Sequence, residues 1–237
     1  MSITMILNNK GGVGKTILSA ILAEEKSLKN RKVLCIDTDP QGNLSYAFGI
    51  EPGKGGLGKM MLFPERNSLN SIETSTWWEG APIDVIGSGH DLDNMEFRPH
   101  ALAEGLRILQ QHYDEIIVDT PPSLSAITGS GISEADRVII PTQPSRYSIR
   151  GIESVLDFID KRKKQKDPDI SVLVTMFDGR INDHTHNLEM IRNNFPFAGI
   201  LKRCSRISSN VEGQQLWKKG IMARNREAYC NVLEKLI

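Results

Sequence analysis

Cysteine is scarce in this chain: among 237 residues only Cys35, Cys204 and Cys230 occur, an odd number without metal-ligand spacing. That scarcity points away from a disulfide framework or a thiolate metal cluster and predicts a reduced, cytoplasmic setting. No apolar run is long enough to span a bilayer, so a membrane-spanning segment is excluded on length. Met1 stands directly ahead of the first apolar segment, which leaves no leader of the secretory kind to read. Net charge is also lacking, with 29 Lys and Arg against 29 Asp and Glu. The balance is uneven, however. From residue 200 onward eight Lys or Arg face three Glu, an excess of five, so the remainder of the chain is five negative. A basic end on a neutral chain suits either a polyanion surface or a solvated helical face. The length and ordinary apolar content suit one α/β domain, 1–237, with a core large enough to need no covalent staples.

What is present is concentrated near the start. Residues 3–7 are apolar or β-branched and read as a buried strand, and residues 17–23 read as a helix with Leu18, Ile21 and Leu22 on its apolar face. Between them lies Asn8-Asn9-Lys10-Gly11-Gly12-Val13-Gly14-Lys15-Thr16. A glycine loop between a strand and a helix is the setting of a phosphate cradle. Gly11, Gly12 and Gly14 let the backbone approach an anion, and the N–H groups around Val13 and at the helix start, through Ile17, point at it. Lys15 supplies charge for the β- and γ-phosphates, and the Thr16 hydroxyl is placed for Mg²⁺.

The general P-loop pattern asks for glycine where this chain has Asn9, and it has Lys10 in front of Gly-Gly-Val-Gly-Lys-Thr instead. In that variant the chain resembles the deviant Walker A ATPases of the ParA branch, and the resemblance extends over nearly its whole length. It implies an α/β fold with a mostly parallel central sheet and helices on both faces. It also implies ATP and Mg²⁺ as cofactors, and a homodimer formed on ATP binding in which Lys10 reaches the phosphates of the partner's nucleotide. Ile17 departs from the family, which usually has a hydroxyl residue there.

Residues 33–37 form a second apolar strand leading into Asp37-Thr38-Asp39-Pro40-Gln41-Gly42-Asn43. Sites of open parallel sheets lie at the carboxyl ends of strands, so these aspartates belong beside the loop. By the resemblance, Asp39 orients or activates the attacking water and Asp37 sits near the metal. Residues 115–119 are a third such strand, closed by Asp119 and followed by Pro121 and Pro122; an apolar strand ending in Asp is the Walker B arrangement for holding Mg²⁺. Strands are also expected at 83–87, 137–141 and from 171, and helices over Leu102–Leu109 and Ile152–Ile159. The linking loop 142–151 is unusually basic through Arg146 and Arg150, and the run from Lys161 reads as a solvated helix end. In relatives, the 175–180 segment and a loop near Leu201 border the adenine. From residue 50 to 82 the pattern weakens into loops with short helical pieces. There Lys54–Met60 repeats the cradle's spacing, but Met60 cannot ligate a metal and no strand precedes it, so it reads as a surface loop. Trp77 and Trp78 suit a partner anchor or cover for the sheet edge.

At the basic end, relatives of the ParA branch contact DNA without sequence preference at the positions of Arg203 and Arg206, with Lys202 and Arg224 nearby, before a last helix from about 224. The resemblance therefore implies an enzyme, an ATPase that binds non-specific double-stranded DNA as a dimer. A ParB-like centromere- or cargo-binding protein would stimulate its slow hydrolysis, and the chain would be nucleoid-associated without stable membrane association. The cargo could be a plasmid, a chromosome or a protein assembly. A MinD-like membrane-cycling protein would need an amphipathic anchor, and a nitrogenase-type reductase would need ligand cysteines that are missing here.

Overall fold

The computed structural model describes residues 1–51, 56–75, 82–89, 92, 95–162, 167–203 and 226–236. Eight strands form one sheet in the order β3-β4-β2-β5-β1-β6-β7-β8. They are β1 (Ser2–Ile6), β2 (Val33–Asp37), β3 (Glu73–Thr74), β4 (Ile83–Ile86), β5 (Glu115–Asp119), β6 (Arg137–Thr142), β7 (Asp169–Phe177) and β8 (Phe197–Lys202). Every pairing is parallel except β3 with β4. Parallel strands buried on both faces read as continuous apolar runs, and β2 and β5 are buried at every position.

Side-chain alternation divides the core into two layers. Ile3, Met5, Leu34, Ile36, Ile116 and Val118 face one side, where they meet α3 (Gly56–Leu62), α5 (Ala101–Leu109), α6 (Ala126–Ile132), α7 (Arg146–Asp160) and α8 (Asn182–Asn194). Ile6, Val33, Cys35 and Ile117 face the other, against α1 (Lys15–Leu28), α2 (Asn43–Ala47) and the terminal α9 (Arg226–Leu233). A short α4 (Pro64–Asn67) completes the described α-helices, and a 3-10 turn, Glu234–Leu236, follows α9. The doubly covered, mostly parallel sheet expected from the sequence is the architecture found.

Two local expectations are corrected. The stretch read as a surface loop forms α3, in which Leu57, Met60 and Met61 are buried. Their i, i+3, i+4 spacing is a helical stripe. Gly56 is there for close packing rather than for a turn, since a Cβ would lie 2.5 Å from the Ser71 carbonyl oxygen. The basic linking loop is shorter than expected, because α7 already begins at Arg146, with Ser145 as its N-cap. Leu201 is buried in β8, which ends at Lys202, and the loop expected near it falls largely outside the described residues. α8 was not legible: it buries only Asn187 and Ile191, too few for a periodic signal. Trp77 and Trp78 lie outside the described residues.

Candidate nucleotide and metal site

The site is assembled by register. β1, β2 and β5 run parallel and side by side, with Ile6 opposite Asp119 and Asp37 opposite Asp119. The loops after β1 and β2 therefore leave the sheet at one end, where open α/β sheets bind ligands.

The loop after β1 is held from below. The Asn8 amide donates to the Pro141 carbonyl (2.8 Å), while its oxygen accepts from Lys10 N–H (2.9 Å). Thr175 Oγ1 donates to the Val13 carbonyl (2.8 Å), and the Gln143 amide donates to the Gly12 carbonyl (3.1 Å). Gly12 and Gly14 have φ of 70° and 90°, a region in which a side chain would strain the backbone. Nothing lies within 4 Å of where a Cβ at Gly11 or Gly12 would be, so space remains over the loop. Gly14 is the N-cap of α1 without any side-chain cap, and the first intrahelical bond runs from Leu18 N–H to Gly14 (3.0 Å). The amides of Lys15, Thr16 and Ile17 precede that bond and are free of the helix ladder, as an anion cradle requires. Lys15 is buried, with Nζ donating to the Lys10 carbonyl (3.2 Å). Burial lowers its pKa, opposed by the charges of Asp119 and Asp39. Ile17 packs against the apolar layer beneath α1.

Asp119 is fully buried at the end of β5 and is gripped by two hydroxyls of α1: Thr16 Oγ1 at 2.7 Å and Ser19 Oγ at 2.9 Å. Asp37, also fully buried, accepts from Ser45 N–H, Ser45 Oγ and Asp39 N–H at 2.8, 2.8 and 3.1 Å. Burial raises the pKa of both carboxyls, with Asp39 adding to the rise at Asp37 and Asp37 to that at Asp119. Hydrogen bonds to the charged forms oppose the rise and do not cancel it. Asp39 sits at the buried edge with its oxygen accepting from Gln41 N–H (3.0 Å).

This arrangement fits a divalent cation. Among the described residues no three His, Cys, Asp or Glu converge. Mg²⁺ does not need such a cage, because it keeps several waters and takes one or two carboxylates together with phosphate oxygens. Thr16 and Asp119 offer the hydroxyl and carboxylate directly, and a cation would relieve the burden on both buried acids.

Lys10, Lys15, Thr16, Asp37, Asp39 and Asp119 are thus brought to one end of the sheet, Lys10 on its exposed rim. Lys202 and Arg203 are exposed at the carboxyl end of β8, at the same end of the parallel sheet, lining a groove of about 480 Å³ with Phe177, Asp178 and Arg180. Arg206 and Arg224 lie outside the described residues. Sequence reasoning missed Ser19 and Ser45. For Ser19 a signal existed, since its i+3 spacing from Thr16 places both hydroxyls on one helix face. Met176 was also missed as a supporting residue. It has φ of 54°, its sulfur accepts from the Gln143 amide (3.1 Å), and its methyl lies 3.9 Å from the Cβ position of Gly14.

A glycine loop on β1, a helix start left open and a β5 carboxylate bonded to the helix's first hydroxyl are the parts of a P-loop nucleotide-binding protein. Comparison with known proteins narrows this. A family model described as an AAA domain matches residues 1–172. The chromosome partitioning protein ParA of Myxococcus xanthus is 34% identical over 248 residues, covering 99% of this chain and 87% of that one. The sporulation initiation inhibitor protein Soj of Bacillus subtilis is 31% identical over 246 residues, covering 99% and 97%. Among solved structures, cobyrinic acid a,c-diamide synthase of Mycobacterium smegmatis, with bound ATP analogue and magnesium, superposes with a TM-score of 0.79 at 24% identity, covering 99% and 94%. That last likeness is one of fold alone. The chain belongs to the AAA-domain family and, within it, to the ParA/Soj branch of P-loop ATPases.

Proposed function

We propose that the protein is an ATP-driven partition ATPase whose nucleotide-bound dimer holds non-specific double-stranded DNA and is released by slow, partner-stimulated hydrolysis. In this reading residues 1–237 act as one ATPase domain. The observation that carries it is the pair of lysines on one loop. Lys15 is buried in the cradle, whereas Lys10 is exposed on the rim and makes no ion pair among the described residues. A second, exposed lysine on the same loop is suited to a nucleotide held by another copy.

The residue roles follow from chemistry. Lys15 and the amides around Gly12–Ile17 would hold the β- and γ-phosphates, and Thr16 with Asp119 would hold Mg²⁺, which would supply neutralising charge at the phosphoryl oxygens. Asp37 fixes the β2 end from the metal's outer side. Asp39 orients the attacking water, and the catalysis is positioning and electrostatics more than covalent chemistry. Partition names attached to the relatives from Myxococcus and, in solved form, from Borrelia burgdorferi support a DNA cargo.

The test separates grip from chemistry. Asp39→Ala should bind Mg-ATP and accumulate as a dimer in light scattering, while Lys10→Ala should bind ATP and stay monomeric. Co-pelleting with random-sequence duplex should then need ATP in the wild type and fail for Lys10→Ala. Equal pelleting with ATP, ADP and no nucleotide would overturn the reading.

A further inference from the structure

Two carbonyls of the phosphate loop are tied to side chains from other parts of the sheet. The Gly12 carbonyl accepts from the Gln143 amide (3.1 Å), and the Val13 carbonyl accepts from Thr175 Oγ1 (2.8 Å). The two peptide units lie on either side of Val13, and each borders a glycine at positive φ, Gly12 or Gly14. Such units turn over at little steric cost, because glycine populates both signs of φ. In a planar trans peptide the C=O and the following N–H point in opposite directions, so tying one aims the other.

The support from β7 comes from an irregular piece of strand. From Val174 to Phe177 β7 advances three residues while β8 advances two, from Ile200 to Lys202. One residue is extra, as in a β-bulge. Met176 within it has φ of 54°, a conformation that a large side chain adopts only where its surroundings hold it. Regular alternation would send side chains 175 and 176 to opposite faces. Here both meet the same loop, Thr175 through its hydroxyl and Met176 through a methyl 3.9 Å from the Cβ position of Gly14. The Met176 sulfur also accepts from the Gln143 amide (3.1 Å), whose two protons are thereby both used. Gln143 is itself anchored, its carbonyl accepting from Ser145 N–H (2.9 Å) and from the Ser148 hydroxyl at the start of α7. Gly14 N–H, by contrast, has no acceptor among the described residues.

We propose that Thr175 and Gln143 are positioning residues that hold the loop in its anion-facing form, Thr175 by aiming Gly14 N–H at a phosphate oxygen. The inference rests on the nucleotide site proposed above and adds to it side chains that touch no ligand. Untied, the unit between Val13 and Gly14 could turn over and set a carbonyl dipole against the phosphate, the reverse of what an anion cradle needs. Thr175 carries more of this task than Gln143. It is buried, and its single proton has the Val13 carbonyl at 2.8 Å as the nearer acceptor and the Thr142 carbonyl at 3.3 Å as the farther one. The Gln143 bond is open to water, which competes for both of its ends.

The experiment titrates Mg-ADP into the full chain and follows its backbone amide protons by NMR. ADP keeps the ATP-dependent dimer out of the measurement. Thr175→Val keeps the branched shape and loses the donor. It should bind Mg-ADP roughly two- to tenfold more weakly. The Gly14 amide proton, moved downfield by the phosphate in the wild type, should return upfield in this variant. Thr175→Ser should restore both readings, and Gln143→Met should show a smaller loss of affinity. Melting curves check that each variant is folded. Wild-type affinity and a wild-type Gly14 shift in Thr175→Val would overturn the proposal. Weaker binding with the Gly14 shift unchanged would overturn it too, since the hydroxyl would then act on stability alone. No loss in Gln143→Met would remove Gln143 from the role. A wild-type chain that does not bind Mg-ADP would instead overturn the nucleotide site itself.

Discussion

α1 and β5 meet at both of their ends, and each end buries charge in a different way. At the far end of α1, Lys26 Nζ lies 2.6 Å from Glu115, with Arg31 Nε at 3.8 Å from the same carboxylate. Charge there is matched within the protein, although burial still lowers the Lys26 pKa more than Glu115 raises it. At the other end Asp37 and Asp119 are fully buried opposite each other, and Lys15 is the cation acting on Asp119. At one end the carboxylate is met by cations of the protein; the other has more carboxylate than cation and raised pKa values. The first is what a structural ion pair looks like, and the second is what a site awaiting a metal looks like.

That contrast breaks most visibly at the structural end. Lys26→Ala should destabilise the protein by about 3–5 kcal/mol, because Glu115 would stay buried without its partner. Urea unfolding measures this, and Lys26→Met with Glu115→Leu should regain most of the loss. A cost near zero for the single variant would mean that Arg31 alone satisfies Glu115. The same surgery at the other end should act on ligand rather than fold. Lys15→Ala should weaken ATP binding by roughly ten- to a hundredfold, the worth of about 1.5–3 kcal/mol, with little loss of melting temperature. Unchanged affinity in a calorimetric titration would remove Lys15 from the cradle.

The two ends were also unequally legible in the sequence. The cradle could be read because glycine, lysine and threonine each do one chemical job at fixed spacing, and because β1, β2 and β5 are uninterrupted apolar runs. Asp37 and Asp119 were legible as strand-closing acids, and parallel register then brings them opposite each other. Lys26 and Glu115 are 89 residues apart and belong to no motif, so only the fold reveals their pairing. α3 was misread for a related reason. Its glycines imitate a phosphate loop, whereas the stripe Leu57, Met60 and Met61 was the better guide. α8 carries almost no apolar stripe, and the basic start of α7 looked like loop because Arg146 and Arg150 obscured the helical pattern.

A smaller effect sharpens the comparison through pH. A carboxyl whose folded pKa is raised binds protons that the unfolded chain has already lost. Its contribution to stability is therefore full below the ordinary carboxylate range and is lost as pH rises through the raised value. Asp37 and Asp119 should thus destabilise the metal-free protein progressively from about pH 4, the ordinary carboxylate value, through their raised values. Mg²⁺ prefers the ionised acids, so the gain in melting temperature from Mg²⁺ over a chelator should grow with pH. A difference of about 1 kcal/mol would appear as about 2–4 °C for a chain of this size. A gain independent of pH would place the cation away from these two acids.

The smallest expected effect concerns the groove beyond the rim, where Lys202 and Arg203 are exposed beside Arg180. Their anchoring is by backbone: Arg203 N–H donates to the Phe177 carbonyl (3.0 Å), and the Lys202 carbonyl accepts from the Tyr229 hydroxyl (2.7 Å). The side chains are thus held at the end of β8 without being used to hold it. If they contact DNA phosphates, each neutralised phosphate adds about 0.9 to the slope of log affinity against log salt. Lys202→Glu with Arg203→Glu should remove about 1.8 from that slope per subunit, while ATP-dependent dimerisation persists. The basic run closing α7 is a weaker alternative. Lys161 Nζ already lies 2.6 Å from Asp157, and the Arg162 guanidinium sits 3.7 Å over the Phe158 ring, so both have occupations that DNA would have to displace. A salt series on random-sequence duplex decides between them. An unchanged slope in the double variant, with loss of slope in Lys161→Glu, would move the DNA surface from the end of β8 to the end of α7.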